Sequence, residues 1–455
     1  MTKVTGFFTQ LMRKYLPDPF VFAILLTLLT ALLAIVVERS NPIDIVASWG
    51  DGFWNLLAFT TQMAVILAMG YVLAVAPVTD RLLDRLADKV RTPRGAVIVA
   101  TLVGAIGSYL NWGFGLVVGG IIAKKLAYRV RGVHYPTIIA SAYSGFTLYG
   151  LGLSATIPLT ISTAGHALEG SMGLIPVAET LFHPIMLVTA LVVLITLPLL
   201  NAWLHPKPGA DIVEIDRDRF RGEMEQPRIS HRDELAKLRE ADGGTLTFAN
   251  KLNHSRVIAY VIGALGIGWS IQHLLTGGAA DLNFINFLIL FLGIILVGTP
   301  QRYVEKLAGG IGTVSGIILQ FPFYAGIMAI MEGSGLVETI AAWFASFSTA
   351  ETLPFWGYVA SFVINFFAPS GGGHWVLQGP FMIDAANQLG SNMAATAVSV
   401  QLGNAWNDLV QPFWILPALA ISKLKLKDIM GHTVVCMFWV GIVYGAAMLL
   451  WGFIG

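Results

Sequence analysis

Long apolar runs without a charged residue recur along the chain from its start to its end. Three of them, at 19–37, 181–200 and 434–454, are uncharged throughout. An α-helix needs about 20 apolar residues to cross a hydrocarbon core of about 30 Å. The runs are continuous and lack the alternation of half-buried strands. The pattern therefore predicts an all-α polytopic membrane protein.

The basic residues orient these runs, because Lys and Arg of short loops stay on the cytoplasmic side. The rule predicts nine transmembrane helices, in chain order 19–37, 55–76, 136–163, 181–200, 256–275, 284–299, 308–331, 393–421 and 432–453. On this threading every Lys and Arg except Arg39 is cytoplasmic. It predicts a cytoplasmic N-terminus and a periplasmic C-terminus.

Two further apolar stretches do not fit single spans. Residues 94–130 have basic clusters near both ends, so we predict a hairpin that enters and leaves on the cytoplasmic side. Residues 353–389 lie in a stretch, 307–422, that contains no Lys or Arg, so this hairpin enters and leaves from outside. We therefore predict two oppositely oriented re-entrant helical hairpins. Charge alone leaves open that each is a pair of short full spans.

The chain divides into two apolar halves around one polar segment. We predict a first repeat at 1–200, a cytoplasmic polar linker at 201–254 with a short helix near 233–240, and a second repeat at 255–455. Five spans separate the hairpins, and an odd number reverses their orientation, as in inverted-topology repeats. A shift of 259 residues aligns Asn111 with Ser370, Gly113 with Gly372, Gly120 with Gly379, Thr137 with Thr396, and Pro158 with Pro417.

Composition supports a membrane protein and adds little else. Only 12% of the residues are charged, against about 25% in soluble domains. The net charge of +1 indicates no partner by itself. Cys436 is the only cysteine, so no intrachain disulfide can form. The chain has no nucleic-acid or phosphate-binding motif, and we predict neither a nucleic-acid partner nor a cofactor.

The hairpin turns are the predicted substrate site. Irregular backbone at membrane depth survives only where protein or a water-filled cavity surrounds it, and N–H groups at helix starts favour anions. With no Lys or Arg in the predicted interior, a carboxylate would bind these N–H groups. The residues so predicted are Asn111, Trp112, Gly113, Ser370, Gly371, Gly372, Gly373 and His374. The alternative is that the glycines only permit close helix packing.

The predicted site of ion or proton coupling lies in the span that follows each hairpin. The third span is interrupted near Ser144 and Gly145, and the eighth near Asn404, Asn407 and Asp408, where Pro412 removes a helix donor. Ionisable groups inside a membrane are costly and mark function by default. Asp408 could take up a proton, and the oxygen-rich break could bind Na⁺. Alternatively Asp408 caps a broken helix, and His374 is a hydrogen-bonded structural residue.

Several motifs resemble the short-chain fatty acid uptake family. They are the start at 8–20, Leu110-Asn111-Trp112-Gly113, and Pro369-Ser370-Gly371-Gly372-Gly373-His374-Trp375 with Gln378-Gly379-Pro380. The resemblance covers essentially the whole chain. It implies bacterial inner-membrane uptake of short-chain monocarboxylates such as acetoacetate and butyrate. It also implies membership of the broader ion-transporter superfamily of elevator carriers, which are usually dimers and hold substrate and Na⁺ at the hairpin tips. We predict symport with Na⁺ or H⁺.

Other functional classes fit less well. An intramembrane aspartyl hydrolase would need a second deep carboxylate, and the chain has neither a G-x-S-x-G nucleophile motif nor a His-rich metal spacing, so we predict no enzyme. A passive channel does not account for paired opposed hairpins. Within transporters, a dicarboxylate or amino-acid carrier remains the alternative. The absence of intramembrane Lys and Arg favours a monoanion.

Overall fold

The structure is a computed structural model that describes residues 19–207, 212–225 and 230–454. The predictions for the N-terminus, which rest on Lys3, Arg13 and Lys14, fall outside the described residues, as does most of the motif at 8–20. The described residues form helices and connecting loops, which confirms the all-α class.

The helices of the first half follow the predicted runs and add short elements between them. They are α1 (Pro19–Val36), α2 (Pro42–Gly52), α3 (Leu57–Ala74), α4 (Pro77–Lys89), α5 (Pro93–Leu110), α6 (Trp112–Arg129), α7 (Tyr135–Ser144), a 3₁₀ segment (Gly145–Leu151), α8 (Thr156–Ile161), α9 (Glu169–Met172) and α10 (Pro184–Leu204). Proline stands in the first turn of several of them, where its missing N–H costs nothing.

The linker and second half continue the series. They contain α11 (Arg217–Met224), α12 (His231–Ala241), α13 (Phe248–Asn253), α14 (Arg256–Leu275), α15 (Leu282–Val297), α16 (Pro300–Gly310), a 3₁₀ segment (Ile311–Val314), α17 (Ser315–Ser334), α18 (Leu336–Phe347), α19 (Leu353–Ile364), α20 (Gly371–Leu389), α21 (Met393–Asn407), α22 (Pro412–Ser422) and α23 (Leu426–Ile454). The short helix predicted near 233–240 is α12.

Seven helical segments of the described chain are long and apolar enough to cross a membrane. Large apolar side chains on their outer faces are exposed, for example Ile106, Leu191, Val257 and Ile442. Exposed apolar surface of this extent marks contact with lipid or a partner, so this is a multi-pass membrane protein. Several predicted spans correspond to shorter apolar helices, and the count of nine stays a prediction.

Four of the longer helices lie wholly or mostly where the sequence suggested loops. They are α2, α4, α16 and α18, and each places apolar residues on one face with polar or exposed residues on the other. A search for long uncharged runs overlooks such helices, because their signal is a 3.6-residue period. In α4, Pro77 at the first position and Asp80 in the first turn also favour a helix start.

Both predicted hairpins are pairs of helices joined by a short turn. In hairpin one, α5 and α6 have 18 residues each and only Asn111 between them. In hairpin two, α19 has 12 residues and α20 has 19, joined by residues 365–370. Together α5 and α6 span 93–129, which matches the predicted bounds of 94–130 to within one residue. Re-entrance and the inverted repeat stay predictions.

Carboxylates of α4 bind the basic end of α6 and fix the base of hairpin one. Asp84 Oδ1 lies 2.9 Å from Lys125 Nζ and 2.7 Å from Arg129 Nη2. Burial alone would raise the pKa of Asp84, but the hydrogen bonds and charges of Lys125 and Arg129 outweigh it and lower the pKa to about 2. Asp84 therefore stabilises the folded state as a carboxylate.

We expect Asp84→Asn to lower the unfolding free energy by about 1–3 kcal/mol at neutral pH, the cost of losing charge-assisted hydrogen bonds. Because the pKa of Asp84 is depressed in the folded state, its contribution is complete above about pH 4 and is lost as the pH falls towards 2. Thermal unfolding in detergent at pH 7 and across this window tests both points.

The matched control is Asp88→Asn on the same helix. Asp88 also pairs with Arg129, at 3.2 Å, but its side chain is 64% exposed, and exposed pairs contribute little. Equal destabilisation by both substitutions at pH 7 would contradict the role given to Asp84.

Candidate functional site

The two hairpin tips approach each other across one cleft. Trp112 contributes one wall, and Ser370, Gly371 and Gly372 contribute another. These four predicted substrate residues, from widely separated parts of the chain, are therefore brought together. The other lining residues are Met63, Phe146, Tyr149, Thr156, Gly316, Ile317, Gln320, Phe321, Pro369, Phe413 and Trp414.

The second arm of each hairpin starts in the same way. Asn111 precedes α6 with extended backbone, φ −155° and ψ 126°, and its side chain accepts a hydrogen bond from the N–H three residues later. Ser370 precedes α20 with φ −154° and ψ 117°, and its hydroxyl accepts from the N–H of Gly373. Both residues are N-caps, at the positions that the shift of 259 residues aligns.

Hydrogen-bond donors dominate the polar part of the cleft. The first N–H groups of α20, on Gly371 and Gly372, have no partner within their own helix. The indole N–H groups of Trp112 and Trp414 are buried and lack a hydrogen-bond partner among the described residues. The described lining includes no Lys or Arg. The cleft can therefore accept one carboxylate through neutral donors and the start of a helix.

The remaining wall is aromatic and aliphatic, and the cleft is nearly closed. Its cavity volume is about 30 Å³, which by this measure holds about two water molecules. A fatty acid of even a few carbons requires the walls to separate. Phe321 and Gln320 on α17 face the hairpin tips across the cleft.

Four predicted substrate residues lie outside the cleft wall. Asn111 is buried, and its amide nitrogen has no hydrogen-bond partner among the described residues. Gly113 packs against Leu67, and a Cβ on Gly373 would lie 2.3 Å from the Tyr324 ring. For these two glycines the contacts match the packing interpretation. His374 is buried one layer behind the tip.

Both spans that follow the hairpins are interrupted, and the two breaks contact each other. After α7 the chain forms the 3₁₀ segment and resumes as α8; after α21 it turns at 408–411 and resumes as α22. The hydroxyl of Tyr143 donates to the backbone oxygen of Asp408. The hydroxyl of Thr147 donates to the backbone oxygen of Ala405 at 3.2 Å.

The second break is more compact than the sequence suggested. An unwound stretch at the break predicted near Asn404, Asn407 and Asp408 would leave backbone carbonyls exposed. Instead the N–H groups of Asp408, Leu409 and Val410 donate back to carbonyls of the last turn of α21. The oxygen atoms at this break that could bind a cation or a proton therefore belong to side chains.

Asp408 is the centre of a buried polar cluster. Its Oδ1 accepts a hydrogen bond from Asn365 Nδ2 at 2.8 Å, and its Oδ2 lies 2.7 Å from the Tyr149 hydroxyl. Asn365 Nδ2 also reaches Asn407 Oδ1 at 3.1 Å, and the Asn404 amide donates to Asn365 Oδ1. All five side chains are buried. No described cationic residue pairs with Asp408, so this cluster has nothing of opposite charge to balance an ionised carboxylate.

His374 extends this cluster towards hairpin two. Its Nδ1 lies 3.3 Å from Asn365 Oδ1, and its Nε2 lies 2.6 Å from Gln378 Oε1 and 3.2 Å from Ser361 Oγ. Gln378 in turn donates to the carbonyl of Gly357 at 2.9 Å. Each ring nitrogen therefore has a partner, as the structural interpretation of His374 requires.

Tyr149 connects the cleft to Asp408. Its ring lines the cleft, and its hydroxyl lies 2.5 Å from Asn404 Oδ1 as well as 2.7 Å from Asp408 Oδ2. A phenol has one proton, so it can donate to only one of these two acceptors. If it donates to Asn404, Asp408 must itself carry a proton to complete the other contact. Tyr149 and Asp408 are 259 residues apart.

Sequence reasoning missed Tyr149, Asn365 and Gln378. Tyr149 lies five residues after the predicted break at Ser144, and Asn365 lies just before the predicted hairpin turn. The available signal was an Asn or Gln inside an otherwise apolar span, because a buried amide needs specific hydrogen-bond partners.

The other two predicted coupling residues belong to a different cluster. Ser144 Oγ accepts from Asn201 Nδ2 at 2.8 Å, and Asn201 Oδ1 contacts His432 Nε2 at 2.8 Å and Cys436 Sγ at 3.1 Å. A Cβ on Gly145 would lie 2.5 Å from the backbone nitrogen of Ala105, so close packing against α5 requires glycine there. The structure does not bring Ser144 and Gly145 to Asp408.

Two solved transporter structures share this fold. The Alcanivorax borkumensis YdaH transporter aligns over 96% of this chain and 98% of its own, with a TM-score of 0.57 and 13% identity. Neisseria gonorrhoeae MtrF, described as illuminating a class of antimetabolite efflux pumps, aligns over 97% and 96% with a TM-score of 0.54 and 13% identity. At this identity the likeness concerns the fold alone.

Sequence comparison identifies the family. Proteins named "Putative short-chain fatty acid transporter" from Escherichia coli K12 and Haemophilus influenzae Rd are each 37% identical to this chain. The first aligns over 449 residues, 98% of this chain and 99% of its own; the second over 452 residues, 98% of each. The family model described as short chain fatty acid transporter matches residues 1–451. The chain is therefore a transporter and not an enzyme, and it belongs to the short-chain fatty acid transporter family.

Proposed function

We propose that the protein is a secondary active carrier that imports a short-chain monocarboxylate, such as acetoacetate or butyrate, together with a neutralising proton at Asp408. The observation that carries this proposal is the position of Tyr149, whose ring lines the cleft and whose hydroxyl contacts Asp408. Substrate in the cleft and charge at Asp408 are therefore separated by one side chain.

The chemistry of the cleft favours a small monoanion. The donors around Gly371 and Gly372 suit one carboxylate, and Met63, Phe321 and Phe413 offer a short apolar surface for an acyl chain. A dicarboxylate or amino-acid carrier would want a further charged partner for its second group, and the described lining has none.

The coupling argument rests on the cost of burying charge. An ionised carboxylate without a cationic partner is expensive in a dry interior, and Asp408 is fully buried. Binding a proton removes this charge and also completes the contact with Tyr149. A Na⁺ ion bound by Asp408 and the Asn407 side-chain oxygen would balance the charge in the same way. The gradient assay distinguishes the two coupling ions.

Movement between the two membrane faces completes the scheme. The cleft has one hairpin tip on each side and α17 across from them, so sliding the hairpins and broken spans past α17 would expose the same site alternately. This is an elevator mechanism, and we propose it for a homodimer in the bacterial inner membrane with the N-terminus cytoplasmic. The inverted repeat would make the two end states alike.

Counterflow in proteoliposomes tests this function. Labelled butyrate and acetoacetate are supplied outside, with unlabelled acid inside, and the assay is run with an inward proton gradient, an inward Na⁺ gradient, or neither. Protein-free liposomes are the control, since neutral short-chain acids cross lipid unaided. We expect protein-dependent counterflow and gradient-driven accumulation with the proton gradient.

Each other outcome has a definite meaning. Accumulation driven by Na⁺ alone would replace the proton by Na⁺ at Asp408. Exchange of succinate or an amino acid without exchange of either monocarboxylate would overturn the proposed substrate. Uptake that never exceeds that of protein-free liposomes under any gradient would overturn active transport.

A further inference from the structure

A second and larger cleft lies away from the hairpin tips, between the linker and the membrane helices. It is formed at the starts of α4, α12 and α14 and along α16, and its volume is about 870 Å³, within the range of sites for small molecules. Neither the proposed substrate nor its coupling ion uses it.

The cleft carries uncompensated positive charge. Arg256 and Lys306 line it and have no hydrogen bond or ion pair among the described residues, and the Nε of Arg81 contacts only the carbonyl of Pro77 in its own helix, at 3.1 Å. Of the acids on its wall, Glu234 pairs with Arg302 at 2.5 Å and Asp80 pairs with Lys125 at 2.8 Å.

One further acid moderates this charge without removing it. Glu305 lines the cleft and accepts a hydrogen bond from Gln301 at 3.0 Å. Lys306 also interacts electrostatically with Asp80 and Glu305. The lining as a whole has four cationic side chains, Arg81, Arg256, Arg302 and Lys306, and three carboxylates, Asp80, Glu234 and Glu305, so an excess of one positive charge remains.

Backbone dipoles add to this field. Pro77, His231 and Arg256 are the first residues of α4, α12 and α14, and all three line the cleft. The N-terminal end of a helix acts as a partial positive charge. Burial is the main cause that lowers the pKa of His231; the charges of Arg256 and Arg302 lower it further, and Glu234 opposes them.

An apolar surface adjoins the same cleft. On the first turns of α14, Val257 is 71% exposed and Val261 is 56% exposed, and on α16 Val304 is 61% exposed. These helices are candidate membrane spans. A ligand that lies here would meet cations at one end and lipid-facing side chains at the other.

We propose that this cleft binds the phosphate headgroup of an anionic phospholipid, whose acyl chains lie against α14. The cations and helix starts would hold the phosphate oxygens, as basic pockets between membrane helices do. Because the lipid contacts both the linker helix α12 and the membrane helices, it would also fasten the linker to the bundle.

The test measures lipid retention by native mass spectrometry on the full detergent-purified chain. Phosphatidylglycerol is titrated against phosphatidylcholine with the same acyl chains, and inorganic phosphate is a third arm. We expect phosphatidylglycerol to bind preferentially, and the Arg256→Gln/Lys306→Gln double variant to lower its affinity roughly 30-fold, since two headgroup contacts are lost. Lys89→Gln, an exposed residue of α4 outside the cleft, should leave binding unchanged.

The melting temperature of the protein with and without phosphatidylglycerol is a second measurement of binding. Arg81→Gln is a milder variant for the case in which the double variant does not fold. Phosphatidylglycerol should raise the melting temperature of the parent and of Lys89→Gln, and raise it less in Arg81→Gln. Equal binding by the parent and the cleft variants would overturn the site. Full competition by inorganic phosphate at the lipid's own concentration would overturn the lipid as its occupant.

Discussion

Asp408→Asn should reduce the gradient-driven accumulation of butyrate in proteoliposomes to that of protein-free liposomes while counterflow continues. Asparagine has the size of aspartate, its oxygen can still accept from Asn365, and its amide can donate to the Tyr149 oxygen. It therefore imitates the protonated carboxyl group without being able to release a proton. The carrier is held in one charge state, so exchange persists and the gradient no longer drives uptake.

The control for this experiment is Asp384→Asn. Asp384 is the carboxylate of hairpin two itself, but it is only partly buried and accepts from Gln388 at 3.0 Å on the same helix. It should retain gradient-driven accumulation. Full accumulation by Asp408→Asn would contradict the coupling role, and loss of counterflow together with a lowered melting temperature would show that Asp408 acts in folding.

Gly403→Ala should abolish transport and destabilise the fold. A Cβ at this position would lie 2.3 Å from the backbone oxygen of Tyr358 and 2.5 Å from Ser361 Cβ. Because a backbone atom cannot rotate away, α19 and α21 must separate, which costs about 1–3 kcal/mol or more. The separation also carries Asn365, at the end of α19, away from Asp408.

Gly268→Ala is the matched control for that substitution. Gly268 lies inside α14, its added Cβ meets nothing within 4 Å, and alanine is the better helix former by about 1 kcal/mol. It should keep transport and slightly raise the melting temperature. Parent-like stability and counterflow in Gly403→Ala would mean that α19 and α21 can move apart without loss.

The sequence predicted the large elements because apolar length and basic flanks are strong signals. The turn of hairpin one at Asn111 and the interruption before Pro412 lie where the sequence predicts them, whereas the turn of hairpin two, at 365–370, lies earlier than the predicted 367–374 because the helix already begins at Gly371. The amphipathic helix α4 was not predicted, because long uncharged runs indicate spans and α4 contains charged residues. The Asp84 carboxylate of α4 pairs with Lys125 and Arg129, which explains how α6 can continue through these basic residues.

The site was predictable in part for a different reason. Gly371, Ser370 and Asp408 stood out by residue type, since glycine runs and lone carboxylates are unusual inside a membrane. Tyr149 and Asn365 did not stand out, because a tyrosine or an asparagine indicates a site only when the fold places it beside a suitable partner. The contact of Tyr149 with Asp408 joins residues 259 positions apart, a pairing that no local pattern contains.

That separation equals the shift that aligns the two halves of the chain. If the halves are inverted repeats, Tyr149 and Asp408 occupy equivalent positions and meet on the axis that relates them. An ancestor with identical halves would have set two like residues against each other there, and two carboxylates would have repelled. Divergence at this one position leaves a hydroxyl facing a single carboxylate, which would limit the carrier to one compensating charge per transport cycle.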